Sequence, residues 1–581
     1  MDIGSRSRVK NHPKIGQMPL SKKYIAYLLI LIPVVSFLWA FFRYTVNMPV
    51  NDDYPAILGF LNQYLSATSF HQKWNLLFAQ HNEHRIVYCR LMSLIDFRLN
   101  KQVNFNVLSL IGNLSLAGIA IIFFRKFLSL NKSIFLFIPV TVLLFNLSSA
   151  ENMLYTMCAL GNFTVHLFIL LTLSFLTSST PSGNRNVLFA SLFFLFAVFT
   201  FGAGIALLPV SIFILFYKRN YKHLLIFGCI AGSIMLFYFY HYFQPPNSGD
   251  PVKSILYFKV RTIIFFFAFL GNAFDYFLIH SNGLRDSLNI ASIIGGGLFL
   301  LFIHITRQKY YQRNLFNYSI MLMAIVSAAL TAISRTTLDL DMAAHSRYRI
   351  NGIIFVISLY FWLIETYQVE TKRAFWAIFL LTGWYYLVIN LGQYEYLPFR
   401  QEQNYLEIVC ANAGDSSLVY PDPAEVVRQR AILERSAELN IYHLPTDADI
   451  EFYLPHSVRQ TGIDSMGTSG LEMTGSIHGI HKVGHDYLID GYAFLQWKST
   501  RHQKVLLGIK NQTDSLPVYF TANQISRFDL NPFFHKFNLE TGGFRGRIRE
   551  DDIKPGENSV WIRLELDNQV KTMQTDNKLI K

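Results

Sequence analysis

Ile25-Ala-Tyr-Leu-Leu-Ile-Leu-Ile-Pro-Val-Val-Ser-Phe-Leu-Trp-Ala-Phe-Phe42 runs without a charged side chain, and the chain then reaches Asn51-Asp52-Asp53-Tyr54. About 20 apolar residues carry a helix across the hydrocarbon core of a bilayer. The stretch therefore reads as a first crossing, and the two aspartates follow it at the membrane surface. Arg6, Arg8, Lys10, Lys14, Lys22 and Lys23 precede it, and no small-residue cleavage site follows it. An uncleaved helix with a cytoplasmic N-terminus is the expectation.

The same pattern recurs. Apolar segments lie near 24–43, 105–124, 133–149, 156–176, 187–201, 203–217, 223–240, 289–306, 315–333, 350–366 and 374–392. Composition agrees: 52% of residues are hydrophobic and 15% charged, against about 25% charged in soluble domains. Beyond residue 392 the pattern turns to that of soluble protein, which dilutes the mean hydropathy to +0.28. The division expected is a membrane domain, 1–392, then a linker and helical region, 393–474, then a β-sandwich, 475–581.

Basic residues fall on every second connection: Arg125, Lys126 and Lys132; Arg185; Lys218, Arg219 and Lys222; Arg307, Lys309 and Arg313; Lys372 and Arg373. Retention of Lys and Arg in the cytoplasm explains this alternation and much of the net charge of +13. A nucleic-acid partner is not expected, because no basic stripe with interleaved aromatics occurs. Eleven crossings would place 44–103, 241–288, 334–349 and 393–581 on the outer face. Segment 254–273 is apolar but holds Lys259 and Arg261, so an interfacial or re-entrant helix is expected there. The short pair 187–201 and 203–217, joined by Thr200-Phe201-Gly202-Ala203-Gly204, would thin the bilayer or line a cavity.

Loop 44–103, about sixty residues, is long for a passive connection. Tyr54–Leu65 and Trp74–Phe78 are amphipathic and suggest short surface helices. In the tail, 423–440 reads as a helix with Pro423 near its start. Tyr487–Lys498, Gln503–Lys510, Pro517–Thr521, Gly543–Arg549 and Ser559–Leu566 read as strands separated by turn residues, which argues for a sandwich. Cys89, Cys158, Cys229 and Cys410 form no CxxC motif. Cys158 and Cys229 read as packing residues in the membrane, and a Cys89–Cys410 bridge stays open.

Three clusters carry groups able to do chemistry. Asp52 and Asp53 are either a solvated helix end or a general base for a hydroxyl nucleophile, a role worth about 10²–10⁴ in rate. His81-Asn82-Glu83-His84-Arg85 is either a polar cap or part of a site. On a helix, His81 and Arg85 would share a face. His81, Glu83, His84 and the aspartates leave a divalent metal open, though their spacing matches no zinc signature; no other cofactor is called for. In 334–349, Arg335, Asp339, Asp341, His345 and Ser346-Arg347-Tyr348-Arg349 either salt-bridge among themselves or supply guanidinium groups to a phosphate. Glu151-Asn152 opens the fourth segment and either binds a polar ligand or favours the helix dipole. His166 reads as a hydrogen-bonded packing residue, and Asn272 and Asp275 share the ambiguity of Glu151.

This layout resembles the GT-C glycosyltransferases. It is most specific at Asn51-Asp52-Asp53-Tyr54 and weaker at Glu151-Asn152, Arg335 and Ser346-Arg347-Tyr348. Ser526-Arg527-Phe528-Asp529-Leu530 and Gly542-Gly543-Phe544 look like pieces of a β-module sometimes attached to such enzymes. The resemblance implies a GT-C-like polytopic helical bundle of a bacterial cytoplasmic (inner) membrane, with its C-terminal domain periplasmic. It implies a hexosyl- or pentosyltransferase using a polyprenyl-phosphate sugar donor and a cell-envelope glycan acceptor such as lipopolysaccharide O-antigen. Asp52 or Asp53 would be the base of an inverting displacement. Substrate binding would fall to His81, Glu83, His84, Arg85, Glu151, Asn152, Arg335, His345, Arg347 and Tyr348, with Arg85, Arg335 or Arg347 on the phosphate. An O-antigen ligase or polymerase, and a lipid-linked-sugar transporter, are the alternatives.

Overall fold

The structure is a computed structural model that describes residues 19–178, 183–245, 248–274, 284–367, 369, 372–414, 422–461, 467–468, 470–525, 527, 530–534, 539, 541–567 and 569–581. Arg6, Arg8, Lys10, Lys14, Asp275, Ser526, Phe528 and Asp529 lie outside the described residues. The chain divides into two compact units. The first is Met1–Thr45, Pro49–Gln393 and Leu439–Ile441; the second is Val46–Met48, Tyr394–Glu438 and Tyr442–Lys581.

Nine helical stretches among the described residues are long and apolar enough to cross a membrane: Leu20–Tyr44, Phe105–Leu128, Ile134–Leu154, Thr156–Thr177, Tyr221–Phe239, Ile290–Arg307, Leu315–Arg335, Ser346–Thr366 and Arg373–Asn412. Two more apolar helices, Asn184–Val198 and Gly202–Tyr217, are shorter. Each apolar segment read from the sequence overlaps one of these stretches.

Helix ends leave N–H groups without intrahelical acceptors, and near a bilayer water is scarce. Side chains meet that need. The Asn104 side chain accepts from Asn106 and Val107, and the Asn314 side chain accepts from Asn317. Ile134–Leu154 is less regular. It opens with 3-10 geometry at Ile134–Phe137 and breaks at Phe145-Asn146, where the Asn146 side chain accepts from the Ser148 N–H. Glu151 and Asn152 sit in the short helix Ala150–Leu154 that closes this third stretch, and Tyr155 separates them from the fourth. They do not open the fourth helix, so the dipole explanation offered from the sequence does not hold.

The loop after the first helix is built of short helices, and the expected surface position does not hold for Tyr54–Leu65, most of which is buried. A π-helix, Tyr54–Gly59, passes directly into an α-helix, Phe60–Ser66. Phe70–Phe78 starts with a reciprocal Ser69–Gln72 capping box. Val87–Asn100 is an additional helix. Arg90, Asp96 and Arg98 mask it in the sequence, yet Arg90 and Asp96 are 5% and 3% exposed. Residues 81–84 are not helical. The N–H of His81 donates to the His84 carbonyl (2.7 Å), the reverse bond is 2.9 Å, and Asn82 turns the chain with φ 47°. The shared helical face expected for His81 and Arg85 is therefore replaced by a tight turn.

Segment 254–273 forms two helices, Pro251–Leu256 and Lys259–Gly271. Val252, Ile255, Tyr257, Val260 and Ile263 are exposed on them. All four cysteines are free. Cys158 is buried as expected, whereas Cys229 is exposed and does not pack.

In the second unit, Pro423–Glu438 is helical. Among the described residues ten strands follow: β1 (Arg459–Gln460), β2 (Gly467–Thr468), β3 (Met473–Val483), β4 (Asp486–Leu495), β5 (Lys504–Asn511), β6 (Val518–Thr521), β7 (Asn523–Ile525), β8 (Gly543–Arg549), β9 (Glu557–Leu566) and β10 (Gln569–Ile580). They form a six-stranded sheet ordered β1-β6-β5-β9-β10-β2 and a four-stranded sheet ordered β3-β4-β8-β7. Along β9, buried and half-buried positions alternate, as a sheet with one covered face requires. Leu507, Ile562 and Leu564 of the first sheet share one core with Ile489, Phe544 and Ile548 of the second. β3 and β10 were not legible in the sequence. Gly475, Gly479 and two histidines interrupt β3, and the outer positions of β10 are polar.

Phe544 is fully buried in that shared core. Phe544→Ala is expected to cost about 3–5 kcal/mol, seen as a lowered unfolding transition of the detergent-solubilised full chain in calorimetry.

Candidate functional site

A cavity of about 460 Å³ opens within the first unit. Among the described residues, seven pieces of chain line it, two of them the 242–251 segment and the helix that carries Phe269. The 81–84 turn brings Glu83 and His84, and the irregular start of the fourth stretch brings Asn162 and His166. The turn between the two short helices brings Phe201, Gly202 and Ala203. The end of Leu315–Arg335 brings Ser327, Thr331 and Arg335, and the start of Ser346–Thr366 brings Arg347, Tyr348 and Asn351.

Glu83 and Arg335 form a two-pronged ion pair, Nη1–Oε1 2.8 Å and Nη2–Oε2 3.2 Å. The side chains are 21% and 17% exposed respectively. Burial works to raise the Glu83 carboxyl, but the charge of Arg335 and the neighbouring His84 hold it below its ordinary value. The salt bridging expected within 334–349 is thus replaced, for Arg335, by a partner some 250 residues away in sequence.

His84 lies against Phe201, ring centroids 4.3 Å apart. Gly202 permits this approach, since a Cβ there would fall 2.6 Å from the imidazole. Burial, and then the charge of Arg335, depress the His84 pKa to about 4. The imidazole is therefore neutral near pH 7 and can donate one hydrogen bond while accepting another.

Arg347 packs its guanidinium over the Tyr348 ring, 5.6 Å from the centroid. Its Nε is buried without a hydrogen-bond partner. Among the described residues its side chain makes no ion pair. Its backbone is held firmly: Asn152 Nδ2 donates to the Arg347 carbonyl (3.0 Å), and Asn162 Nδ2 donates to Asn152 Oδ1 (2.9 Å). The Ser346 hydroxyl donates to Glu151 (2.7 Å). Glu151 and Asn152 therefore position the Arg347 segment and do not face the cavity. Arg347 remains as a cation held in place with unused donors, the geometry that binds a phosphate oxygen.

The other expected site residues are placed differently. Arg85 donates to the carbonyls of Tyr238 (2.6 Å), Tyr240 (2.5 Å) and Phe78, so its guanidinium is committed to the fold. His345 is exposed and off the cavity wall. His166, read as a packing residue, bonds the Asn162 carbonyl through Nδ1 (2.6 Å) and also lines the cavity.

The two aspartates differ sharply. Asp53 is fully buried. Its carboxylate accepts from the Val50 N–H (3.1 Å) and the Met157 N–H (2.9 Å). Burial pushes its pKa well above the ordinary value despite those bonds. Asp52 has a side chain 43% exposed, with an oxygen 3.9 Å from His81 Nε2. Its backbone N–H donates to the Tyr155 hydroxyl (2.8 Å). Neither aspartate lines the cavity. Asp52 is one step removed, through His81, from the His84 wall.

Asn162, Asn351 and the Phe201-Gly202 turn were not singled out as site residues. The asparagines are amides inside apolar segments, a signal present in the sequence, and of the two alternatives open for the short helix pair, thinning the bilayer or lining a cavity, the turn that joins them does line the cavity. Among the described residues, no group of three or more His, Cys, Asp or Glu side chains is placed to hold a metal ion. No family model, no curated protein and no solved structure matches the chain.

Asp53 supplies a pH test. A carboxyl whose folded pKa is raised contributes less stability as pH climbs above its unfolded value, near 3.8. Asp53→Asn removes that titration and keeps an acceptor oxygen. The variant's melting temperature minus that of the native chain is expected to rise between pH 4.5 and pH 8. A constant difference would mean that Asp53 carries no such penalty.

Proposed function

We propose that this chain is a multi-pass membrane glycosyltransferase that moves a sugar from a polyprenyl-phosphate carrier to a glycan acceptor on the outer face of a bacterial cytoplasmic membrane. The observation that carries the reading is Arg347, a half-buried guanidinium whose Nε has no hydrogen-bond partner, on the wall of a largely apolar cavity inside the helical unit. An anionic headgroup joined to an isoprenoid matches both properties.

In this reading, Asp52 takes the proton from an acceptor hydroxyl. The hydroxyl oxygen bonds to the anomeric carbon as the bond from that carbon to the phosphate oxygen breaks. The electron pair leaves with the phosphate, and the configuration inverts. Arg347, with His84 donating a hydrogen bond, meets the charge that develops there. Donors held ready in a site of low dielectric supply the largest single contribution to such a step. The acceptor approaches from the Asp52 side of the His81–His84 turn, because Asp52 stands outside the cavity wall. Asp53 holds the backbone beside Asp52 by joining Val50 to Met157.

One observation favours a second reading, a transporter of lipid-linked sugars. Asn162, His166 and Asn351 lie within apolar stretches, and the helices Asn184–Val198 and Gly202–Tyr217 are short. Polar residues at depth and short paired helices are features of transporters. Chemistry separates the two, since a transporter releases its ligand unaltered.

Asp52→Asn is expected to lower transfer by about 10²–10⁴-fold while binding of the lipid-linked donor persists, and Arg347→Gln is expected to weaken that binding at least about tenfold. Mass spectrometry of the surface glycan reads the first, and an unchanged glycan in the Asp52 variant would remove the catalytic role. A periplasmic reporter fused after residue 400 is expected to be active, and an inactive fusion would reverse the orientation.

A further inference from the structure

Residues 251–263 fold as a helical corner that presents most of its side chains outward. Helix Pro251–Leu256 and the first turns of Lys259–Gly271 meet at Tyr257-Phe258. Val252, Ile255, Leu256, Tyr257, Val260 and Ile263 are each more than half exposed. An exposed apolar patch of this kind marks a contact with a membrane or another protein. The corner is well tied internally. The Thr262 hydroxyl donates to the Ser254 carbonyl (2.9 Å), the Ser254 hydroxyl donates to the Asp250 carbonyl (3.0 Å), and the Asp250 carboxylate accepts the Lys253 N–H (3.0 Å). The apolar surface is therefore held in a fixed shape.

Height and charge identify the partner. The residues leading into the corner are held to the end of the membrane-length helix Leu315–Arg335. The Asp250 N–H donates to the Thr337 hydroxyl (2.8 Å), and Gly249 lies so close to Ser334 that a Cβ there would fall 1.9 Å from its carbonyl oxygen. A helix of 21 residues ends at the boundary between hydrocarbon and headgroups, so the corner starts at that boundary. Lys253, Lys259 and Arg261 are exposed among its apolar residues, and Asp250 is the one acidic residue in 248–263. Lys253 Nζ lies 3.4 Å from the Asp250 carboxylate, an exposed pair that a headgroup phosphate can replace. Cytoplasmic retention does not explain these bases, because the alternation of basic connections leaves 241–288 for the face opposite Lys218, Arg219 and Lys222.

We infer that the 251–263 corner is an interfacial anchor that seats in the headgroup layer and gathers anionic lipids, with Lys253, Lys259 and Arg261 selecting them over zwitterionic ones. Its apolar side chains enter the acyl boundary, while the basic side chains extend their charged ends to the phosphates. The inference goes beyond the transfer reaction and does not depend on it; it needs only that the helical unit stands in a bilayer. It bears on the cavity as well. Gly249 and Pro251 line that cavity, so the anchor holds one side of it at headgroup level.

The test places the full chain in vesicles of phosphatidylcholine and phosphatidylglycerol. Ile255→Cys in a Cys229→Ser background carries a bimane fluorophore, since Cys89, Cys158 and Cys410 are buried. Quenching is read with nitroxide-labelled phosphatidylglycerol, with nitroxide-labelled phosphatidylcholine and with aqueous iodide. At equal mole fraction the phosphatidylglycerol label is expected to quench at least about threefold more effectively than the phosphatidylcholine label, with iodide excluded. Lys253→Gln, Lys259→Gln and Arg261→Gln together are expected to equalise the two lipids. Should that triple variant fail to fold, salt at about 1 M screens the same charges and is expected to shrink the native ratio at least about twofold. Equal quenching of the native chain by the two lipids overturns the inference, as does iodide quenching as strong as in the unfolded labelled chain. A folded triple variant with an unaltered ratio, or a native ratio that salt leaves unchanged, overturns it too. None of these results bears on sugar transfer, which the Asp52 variant tests.

Discussion

An unpaired charge in a medium of low dielectric is expensive, and that single cost organises the membrane unit. Its arginines show how the cost is met. Arg85 is saturated by the carbonyls of Phe78, Tyr238 and Tyr240. Arg90 donates to Leu77 (3.1 Å) and Ala79 (2.5 Å). Arg349 donates to the Ser148 carbonyl (2.9 Å). Arg335 takes Glu83. In each case a guanidinium ties a piece of loop to a helix, and the charge is offset by dipoles or by a carboxylate. Arg347 departs from this rule, and the departure is what gives the cavity its character.

The same cost separates the two aspartates. Asp53 turns inward and accepts two backbone N–H groups, one of them from the start of the fourth apolar stretch. It thereby fixes the loop that presents Asp52 to solvent. Adjacent side chains of identical chemistry thus take opposite duties. Which one stays accessible follows from the π-helical turn that starts at Tyr54 and buries Tyr54 and Ala56 beside Asp53. The second unit handles buried charge in a similar manner. Arg547, 1% exposed, is offset by Asp486 at 2.7 Å, and Arg545 by Asp490 (2.5 Å) and Glu402 (2.9 Å).

Irregular backbone concentrates where the cavity forms. The π-helical turn Ala159–Phe163 and the 3-10 turn Gly202–Ala206 both border it. Such turns re-aim side chains that a continuous helix would point at neighbours or lipid. Gly202 shows how tight the fit is, because any side chain there would collide with His84. The site is therefore assembled from local departures from regular helix, each supported by a hydrogen bond elsewhere.

Much of the fold is written locally. Apolar runs of membrane length, basic residues on alternate connections, Pro423 at a helix start, and period-two runs such as Ser559–Leu566 depend on near neighbours in sequence, so they could be read directly. Helix Val87–Asn100 and strands β3 and β10 were hidden because their charges, glycines and polar faces find partners only after folding. Of the residues singled out in the sequence, Glu83, His84, Arg335, Arg347 and Tyr348 meet on the cavity wall, whereas Asp52 and Asp53 stand off it. The sequence did not reveal that Glu83 pairs with Arg335, that Arg85 is spent on carbonyls, or that Asp53 is inside and Asp52 outside. Composition and periodicity are one-dimensional properties that the hydrophobic effect translates directly into helices and strands. The pairing of a charge depends on which distant segment packs against it, and only the three-dimensional arrangement of helices and turns decides that.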